Sequence, residues 1–430
     1  MMRKSFWAAC GVCLLSTFLW AGEGSVSVKL LGLNEDQFPI LAWGGITLEP
    51  LVRQPDYYRE MKACGFTIAS LASNDAQIDA AREAGMKVLF GNSAFSNRDW
   101  MKPDPDGWAA DFAKFAEKYK DDPAVAGFYV KDEPQTAELD GLVPMAQTIL
   151  DQSGKLPYIN LYPLSANITH FLPLTYADHV EKFMRENPSP VASFDQYVFF
   201  EDGQIRETFY TNFKIFRDAA LKYDKEWWYI GLSIAHRHYA VPTYAQMNLA
   251  AFAALAYGAR GISWFKYSDI GRPGWWAAPL TPFGERTPVW FALQRVNRSI
   301  QNYAYVLNHL KSDRVYHFIT PATNNPERSD GPDADSLISS VVNIGKDPFR
   351  TGGNWIVGEF THDQTGDRYM IVVNKDLDRT SEFIPVWREG KKPKEVRYIQ
   401  EASHNETPFG RSTDSDILEP GGSVILHLIY

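Results

Sequence analysis

The chain has 430 residues, 45% hydrophobic and 22% charged, an ordinary globular composition that can bury a large core but is long for one domain. A formal charge of −9 at neutral pH disfavours nucleic acid and anionic membranes as partners. The 13 Trp, 21 Tyr and 26 Phe can fill that core or present flat apolar rings with polar edges to a sugar.

At the N-terminus, Arg3 and Lys4 precede an apolar run over 6–19 and a small-residue region at Trp20-Ala21-Gly22. This pattern reads as a secretory signal over residues 1–21, and places the mature protein in the periplasm or outside the cell. The run is short for a transmembrane span, and no other stretch suggests one. Cys10 and Cys13 fall inside it, leaving Cys64 alone, so no intrachain disulfide is expected.

After a polar lead-in, strand-like and helix-like segments alternate. Strands are expected at 40–43, 67–71, 87–90, 125–130, 157–162, 191–199, 227–234 and 261–267. Helices are expected at 57–64, 75–84, around 108–119, 142–150, 176–185, 208–223 and 243–257, with a long one from Pro288. Trp108, Phe112, Phe115, Ala116 and Tyr119 share a helical face, as do Phe291, Val296, Ile300, Tyr303, Val306, Leu307 and Leu310. Thr243 and Gln246 have the spacing of a capping box, and Pro288 suits a first helical position. Eight strand–helix units in this length predict a (β/α)8 TIM barrel over 22–312. An open doubly wound sheet is the rival, but Gly44-Gly45-Ile46-Thr47 after strand one lacks the dinucleotide-binding spacing. From 313 to 430 the pattern becomes short strands separated by Gly, Asp and Asn turns without helices, which predicts a C-terminal all-β sandwich. A polar loop is expected over 324–335, and Asn167, Asn297 and Asn405 sit in glycosylation sequons.

In such a barrel the chemistry belongs at the C-terminal ends of the strands. Those ends carry Trp43, Asn92, Asp132, Glu133, Asn160, Tyr162, Asp195, Tyr197, His236, Lys266, Tyr267 and Asp269. The set is rich in carboxylates, amides and aromatics, and holds no Ser-His-Asp combination and no Cys beside a His. Cleaving a glycosidic bond needs a protonated carboxyl at the leaving oxygen. It also needs a second carboxylate, or a substrate amide held by one, across the anomeric carbon. The stretch VAGFYVKDEP at 125–134 supplies the first: Glu133 is expected to be the general acid/base, facing inward with Tyr129 and Lys131 while Phe128 and Val130 face the helices. Asp195 or Asp132 is expected to be the second carboxylate, with Asp269 and Glu201 weaker. Either residue of the Asp132-Glu133 pair also suits the start of a helix, and an Asp inside strand six can serve to hold a neighbouring loop.

Trp264, Tyr267, Trp275 and Trp276 are candidates for a sugar platform, and the long connection 269–286 for a functional rim. Lys131 and Lys266 can bind a substrate carboxylate or sulfate, or neutralise the acids around them. Trp43, Asn160, Tyr197 and Asp269 complete the expected substrate contacts. The pair His236 and His238 lacks further ligands at metal spacing, so no metal and no cofactor is expected. The expected partner is a carbohydrate.

These residues resemble the (β/α)8 glycoside hydrolases of the retaining clan that includes the family 42 β-galactosidases. There the acid/base Glu follows strand four, commonly as Asn-Glu-Pro, matched here by Asp132-Glu133-Pro134. A broader set of secreted bacterial barrel proteins with a DEP sequence is matched also at Asn160-Leu161-Tyr162-Pro163, Ser193-Phe194-Asp195-Gln196-Tyr197, the stretch ALAYGARG at 254–261, and Gly358-Glu359-Phe360 through Val373-Asn374. The resemblance implies a glycosidase, with one departure: the clan keeps a nucleophilic Glu at the end of strand seven, where this chain reads Gly231-Leu232-Ser233-Ile234-Ala235-His236. Either Asp195 or another acid substitutes, or catalysis is substrate-assisted through Asp132 and Glu133, a pair similar to that of the family 20 and 123 hexosaminidases. The rival from another class is a barrel that binds carbohydrate without cleaving it. A polysaccharide lyase, with Lys131, Lys266 or His236 facing uronates, is a third.

Overall fold

The structure is a computed structural model that describes residues 24–44, 54–166, 174–269, 271–318, 331–342, 353–410 and 416–430. The expected signal segment 1–21, the Gly45-Ile46-Thr47 turn, the Asn167 sequon and most of the 324–335 loop lie outside these residues.

Eight parallel strands close into a barrel: β1 (Ile40–Ala42), β2 (Ile68–Ala72), β3 (Lys87–Gly91), β4 (Val125–Asp132), β5 (Leu156–Leu161), β6 (Val191–Asp195), β7 (Glu226–Leu232) and β8 (Gly261–Phe265). β8 returns to β1, with Ile40 opposite Ile262 and Ala42 opposite Trp264. β5 and β6 are buried along their whole length, as parallel strands with both faces covered must be. One set of side chains fills the barrel: Leu41, Ile68, Leu89, Leu156, Tyr158, Val191, Trp228 and Ile230. The alternate set, including Ile40, Phe90, Phe128, Ile159, Phe194 and Trp264, packs under the helices. Gly261 is required where it stands, because a Cβ there would lie 2.5 Å from the Trp228 ring that fills the lower barrel.

The lead-in holds a short helix not expected from the sequence, Val26–Leu31. Its Leu31 closes the lower end of the barrel, with Leu30 and Leu33 against the same cluster. The Glu226 carboxylate at the start of β7 fastens it, accepting hydrogen bonds from Ser25 Oγ (3.1 Å), Val26 N (2.6 Å), Ser27 N (2.9 Å) and Ser27 Oγ. A negative charge at a helix N-terminus is favourable, since the first amide hydrogens have no partners within the helix. This leaves the opposite end, where the strands finish, as the open mouth.

β4 departs from simple alternation. Tyr129 pairs with Tyr158, but the next pairs are Lys131 with Ile159 and Asp132 with Asn160, so Val130 is an extra residue in the strand. The bulge reverses the expected parity. Lys131 lies opposite outward-facing Ile159, and Asp132 rather than Lys131 points into the barrel beside Asn160.

The capping box forms at Thr243 and Gln246, opening the helix Tyr244–Ala256. From Met247 to Ala256 that helix is buried on every side, because it is caught between barrel and C-terminal sheet. The six-stranded antiparallel sheet runs Leu310–Phe318, Trp355–His362, Arg368–Asn374, Ser423–Ile429, Glu395–Ile399, Glu406–Pro408. Ile356, Phe360, Ile371, Val373 and Ile425 face the barrel's helices. Trp355, Val357, Met370, Val372 and Leu426 face Ile338, Phe383 and Leu418 in two small ribbons on the far side, making the sandwich. Gly358 allows the close approach: a Cβ there would sit 2.2 Å from the Ala256 carbonyl oxygen. Phe291, expected on the apolar face of its helix, is 54% exposed, and its neighbour Trp290 is buried instead.

Candidate active site

The floor of the mouth is aromatic. Trp43, at the end of β1, packs its ring 5.7 Å from Tyr129 and 5.6 Å from Tyr158. Above this floor β4, β5 and β6 contribute a hydrogen-bonded chain of inward-facing polar groups. Tyr158 donates to Ser193 Oγ (2.7 Å), Ser193 donates to Asn160 Oδ1 (3.0 Å), and Asn160 Nδ2 donates to Asp132 Oδ1 and to Asp195 Oδ1, both at 2.9 Å. The network fixes the amide's orientation, because only its NH2 group can face two carboxylates. It also bounds their spacing. Two oxygens on one nitrogen at divergent N–H directions stand ~5 Å apart, the separation of the carboxyl pair in a retaining glycosidase.

Glu133 follows on a left-handed backbone, φ 46°, with its N–H donated to the Asn160 carbonyl (2.8 Å). That conformation is uncommon for a residue with a side chain and marks an imposed geometry. Its carboxylate has no hydrogen-bond or ion-pair partner among the described residues. Asp132 and Glu133 are reached by water, yet the walls of the mouth remove part of their hydration. Burial, then the Asp132 charge, raises the Glu133 pKa. Asp132 is raised by burial, against the lowering effects of its Asn160 bond and the Lys131 charge. Asp195 is 9% exposed. Burial, followed by the charges of Glu133 and Asp132, holds its pKa well above the usual carboxylate range. Three acids therefore share one small volume, and their protons are distributed among them as a set.

The opposite side of the mouth is aromatic and basic. A two-stranded ribbon pairs His236 with Trp275 and Ala235 with Trp276. The His236 and Trp275 rings stack at 4.4 Å, 7° from parallel. Tyr197 lies over Phe265 and edge-on to His236. Burial, then Asp195, raises the Tyr197 hydroxyl pKa well above its ordinary value and keeps it a neutral donor. Arg206 braces this wall by donating to the Tyr197 carbonyl and to the Tyr239 hydroxyl, both at 2.9 Å. β6 ends at Asp195, not at the expected 199, so Tyr197 is carried by the loop that crosses the mouth.

Of the expected site residues, Asp132, Glu133, Asn160, Asp195, Tyr197, Trp43 and Trp275 come together at the mouth. Lys131 does not join them: its ammonium pairs with Glu138 at 3.2 Å, following the β4 bulge. Trp264 and Tyr267 are fully buried on the helix side, where Trp264 donates to Asn297 (2.8 Å) and the Tyr267 hydroxyl accepts from Trp290 (3.0 Å). They are core residues: Trp264 faces the helices from β8, and Tyr267, beyond the end of β8, packs edge-on against Phe66 in the same cluster. Asp269 accepts the Gly271 N–H (2.8 Å) in a turn, Asn92 caps a short helix, and Glu201 pairs with His238 on the surface at 3.5 Å. Tyr158 and Ser193 were not foreseen as part of the site. The signal was present in the alternation of Tyr158 with Asn160 and of Ser193 with Asp195 along adjacent strands. A cleft of about 580 Å³ at the opposite end of the barrel, lined by Arg217, Lys225, Glu226 and Arg260, shares no residue with the mouth.

Among the described residues, no group of three or more His, Cys, Asp or Glu is placed to hold a metal, and no helix is long and apolar enough to cross a membrane.

No family model and no curated protein matches this chain. Solved structures share its fold. A structure described as a glycoside hydrolase is 12% identical with a TM-score of 0.51, over 91% of this chain and 92% of that one. A glycoside hydrolase family 5 structure from Bacteroides vulgatus ATCC 8482 is 12% identical with a TM-score of 0.51, over 95% of each chain. Against a β-galactosidase from the psychrophilic Marinomonas ef1 the values are 12% and 0.48, and this chain spans 60% of that one's length. At these identities the likeness is one of fold.

Proposed function

We propose that this protein is a secreted glycoside hydrolase that cleaves a poly- or oligosaccharide, with Glu133 as general acid/base. The observation that carries this reading is Glu133 itself. It is a carboxyl with raised pKa and no partner, on a strained backbone at the barrel mouth, beside a carboxylate that Asn160 locks in place. A carboxyl that holds its proton more tightly than usual and is left unbonded is suited to give that proton to a departing glycosidic oxygen. Asp132 is the second carboxylate. Held by Asn160 next to Glu133, it is suited to steadying a substrate amide or the positive charge at the anomeric carbon. Asp195, whose pKa burial holds well above the usual carboxylate range, acts as a positioning residue through Asn160. Trp43 and Trp275 offer faces for sugar rings.

The shared Asn160 amide favours a second division of labour: two carboxylates held on one nitrogen stand ~5 Å apart, a spacing that fits a retaining nucleophile and its acid. Substitution separates the two. Glu133→Gln should lower turnover of a susceptible glycan by about 10²-fold or more, with the fold intact by circular dichroism. Asp195→Asn should lower it far less. The reverse order would assign the acid to Asp195. Full activity of Glu133→Gln would remove the proposal, and absence of turnover on a broad panel of chromogenic and natural glycans would leave a binding protein.

A further inference from the structure

Lys266 follows β8 at the mouth end of the barrel and is only 7% exposed. Its stem runs beside the end of β1, where a Cβ on Gly44 would lie 3.6 Å from both its Cβ and its Cδ. Among the described residues its ammonium has neither a hydrogen-bond nor an ion-pair partner. Asp269 acts on it through its charge without an ion-pair contact, and its Oδ1 accepts the Gly271 N–H. Arg237 and Arg272 stand exposed on and beside the mouth ribbon, also unpaired among the described residues. A buried ammonium without an ion-pair or hydrogen-bond partner is unfavourable in the free protein; burial loosens its proton, and the Asp269 charge only partly opposes that effect.

Neutralising the catalytic acids does not account for Lys266. The cation that steadies Asp132 is Lys131. In the closed order of eight strands, β8 lies diametrically across from β4. A sugar chain that crosses the mouth from a scissile bond at Asp132 and Glu133 would end at the wall formed by β8, which Lys266 follows. We infer that the substrate is an acidic glycan, whose carboxylate or sulfate pairs with the Lys266 ammonium. A lysine presents a compact point charge that accepts either anion, where a guanidinium would select for a bidentate one. This inference takes the carbohydrate class from the function proposed above and adds the charge.

The test is equilibrium binding to the full-length Glu133→Gln protein, which holds substrate without needing turnover. The probes are tetrasaccharides of polygalacturonate and of hyaluronan with the carboxyl-reduced form of each, and a sulfated galactan tetrasaccharide with its desulfated form. At least one acidic probe should bind about tenfold or more tighter than its neutral counterpart, and Lys266→Met should abolish that preference. Preference for a uronate identifies the anion as a carboxylate, and preference for the galactan identifies it as a sulfate. Equal or weaker binding of every acidic probe, measured without any lysine variant, would overturn the inference, as would a preference that survives Lys266→Met. The two proposals fail separately. Hydrolysis of neutral glycans by the wild type without acidic preference removes only the charge. Acidic preference without hydrolysis of any glycan removes only the enzyme.

Discussion

Asp132 and Glu133 are adjacent carboxyls whose environments differ: one is held by an amide, the other left free. Part of the rise in the Glu133 pKa comes from the Asp132 charge, after burial. Asp132→Asn removes that charge, so the proton on Glu133 should be lost at lower pH. In the residual activity of this variant the alkaline limb of the kcat/KM profile should move to lower pH; an unmoved limb would mean that the two residues are not coupled. Asp195 gives a stability prediction. Its folded pKa is raised above the unfolded value, so its contribution is full below the unfolded pKa and declines as pH rises through the folded one. Asp195→Asn should therefore raise the Tm at about pH 8 and change it little at about pH 3; an equal gain at both would refute the assignment. The Asn160–Asp195 partnership was legible in the sequence as polar residues alternating within two apolar strands. The exclusion of Lys131 was not, because a single extra residue in β4 reverses parity and is set by pairing with β5. Nor did strand eight reveal that Trp264 faces the helices, since a strand buried on both faces carries no periodic polarity.

Among the elements, the six-residue helix Val26–Leu31 was illegible for a simple reason: it is shorter than the window over which helical periodicity can be read. Its stability comes from Leu31 in the barrel floor and from Glu226 at its N-terminus. Glu226→Ala should lower unfolding free energy by about 2 kcal/mol in denaturant titration, by removing the acceptor for this helix's first amides. A change near zero would show that Leu31 alone holds the helix. The longer amphipathic helices and their caps were readable, and the Thr243–Gln246 capping box forms as its spacing requires. β6 was read too long, because the apolar residues after Asp195 belong to a mouth loop packed on Tyr239 and Phe209.

At the scale of the molecule, the helix Tyr244–Ala256 joins barrel and sheet through a single apolar layer. Its extent and capping box were visible in the sequence, but the surface covering its outer side becomes clear only when Ile371, Val373 and Ile425 are seen facing it. Barrel and sheet should consequently unfold in one thermal transition, with tryptophan fluorescence and far-ultraviolet dichroism coinciding. Two resolved transitions would show that the layer does not couple them. The same architecture leaves one end of the barrel plugged by Leu31 and the other open over Trp43, with Asp132 and Glu133 at the end of β4, Asp195 at the end of β6 and Lys266 following β8. The central claim concerns the proton on Glu133, and leaving-group dependence tests it most directly. Glu133→Gln should be compared with the wild type on an aryl glycoside whose phenol departs unaided and on a glycoside with a sugar leaving group. The account predicts that the variant keeps most of its activity on the first and loses about 10²-fold or more on the second; equal losses on both would contradict it.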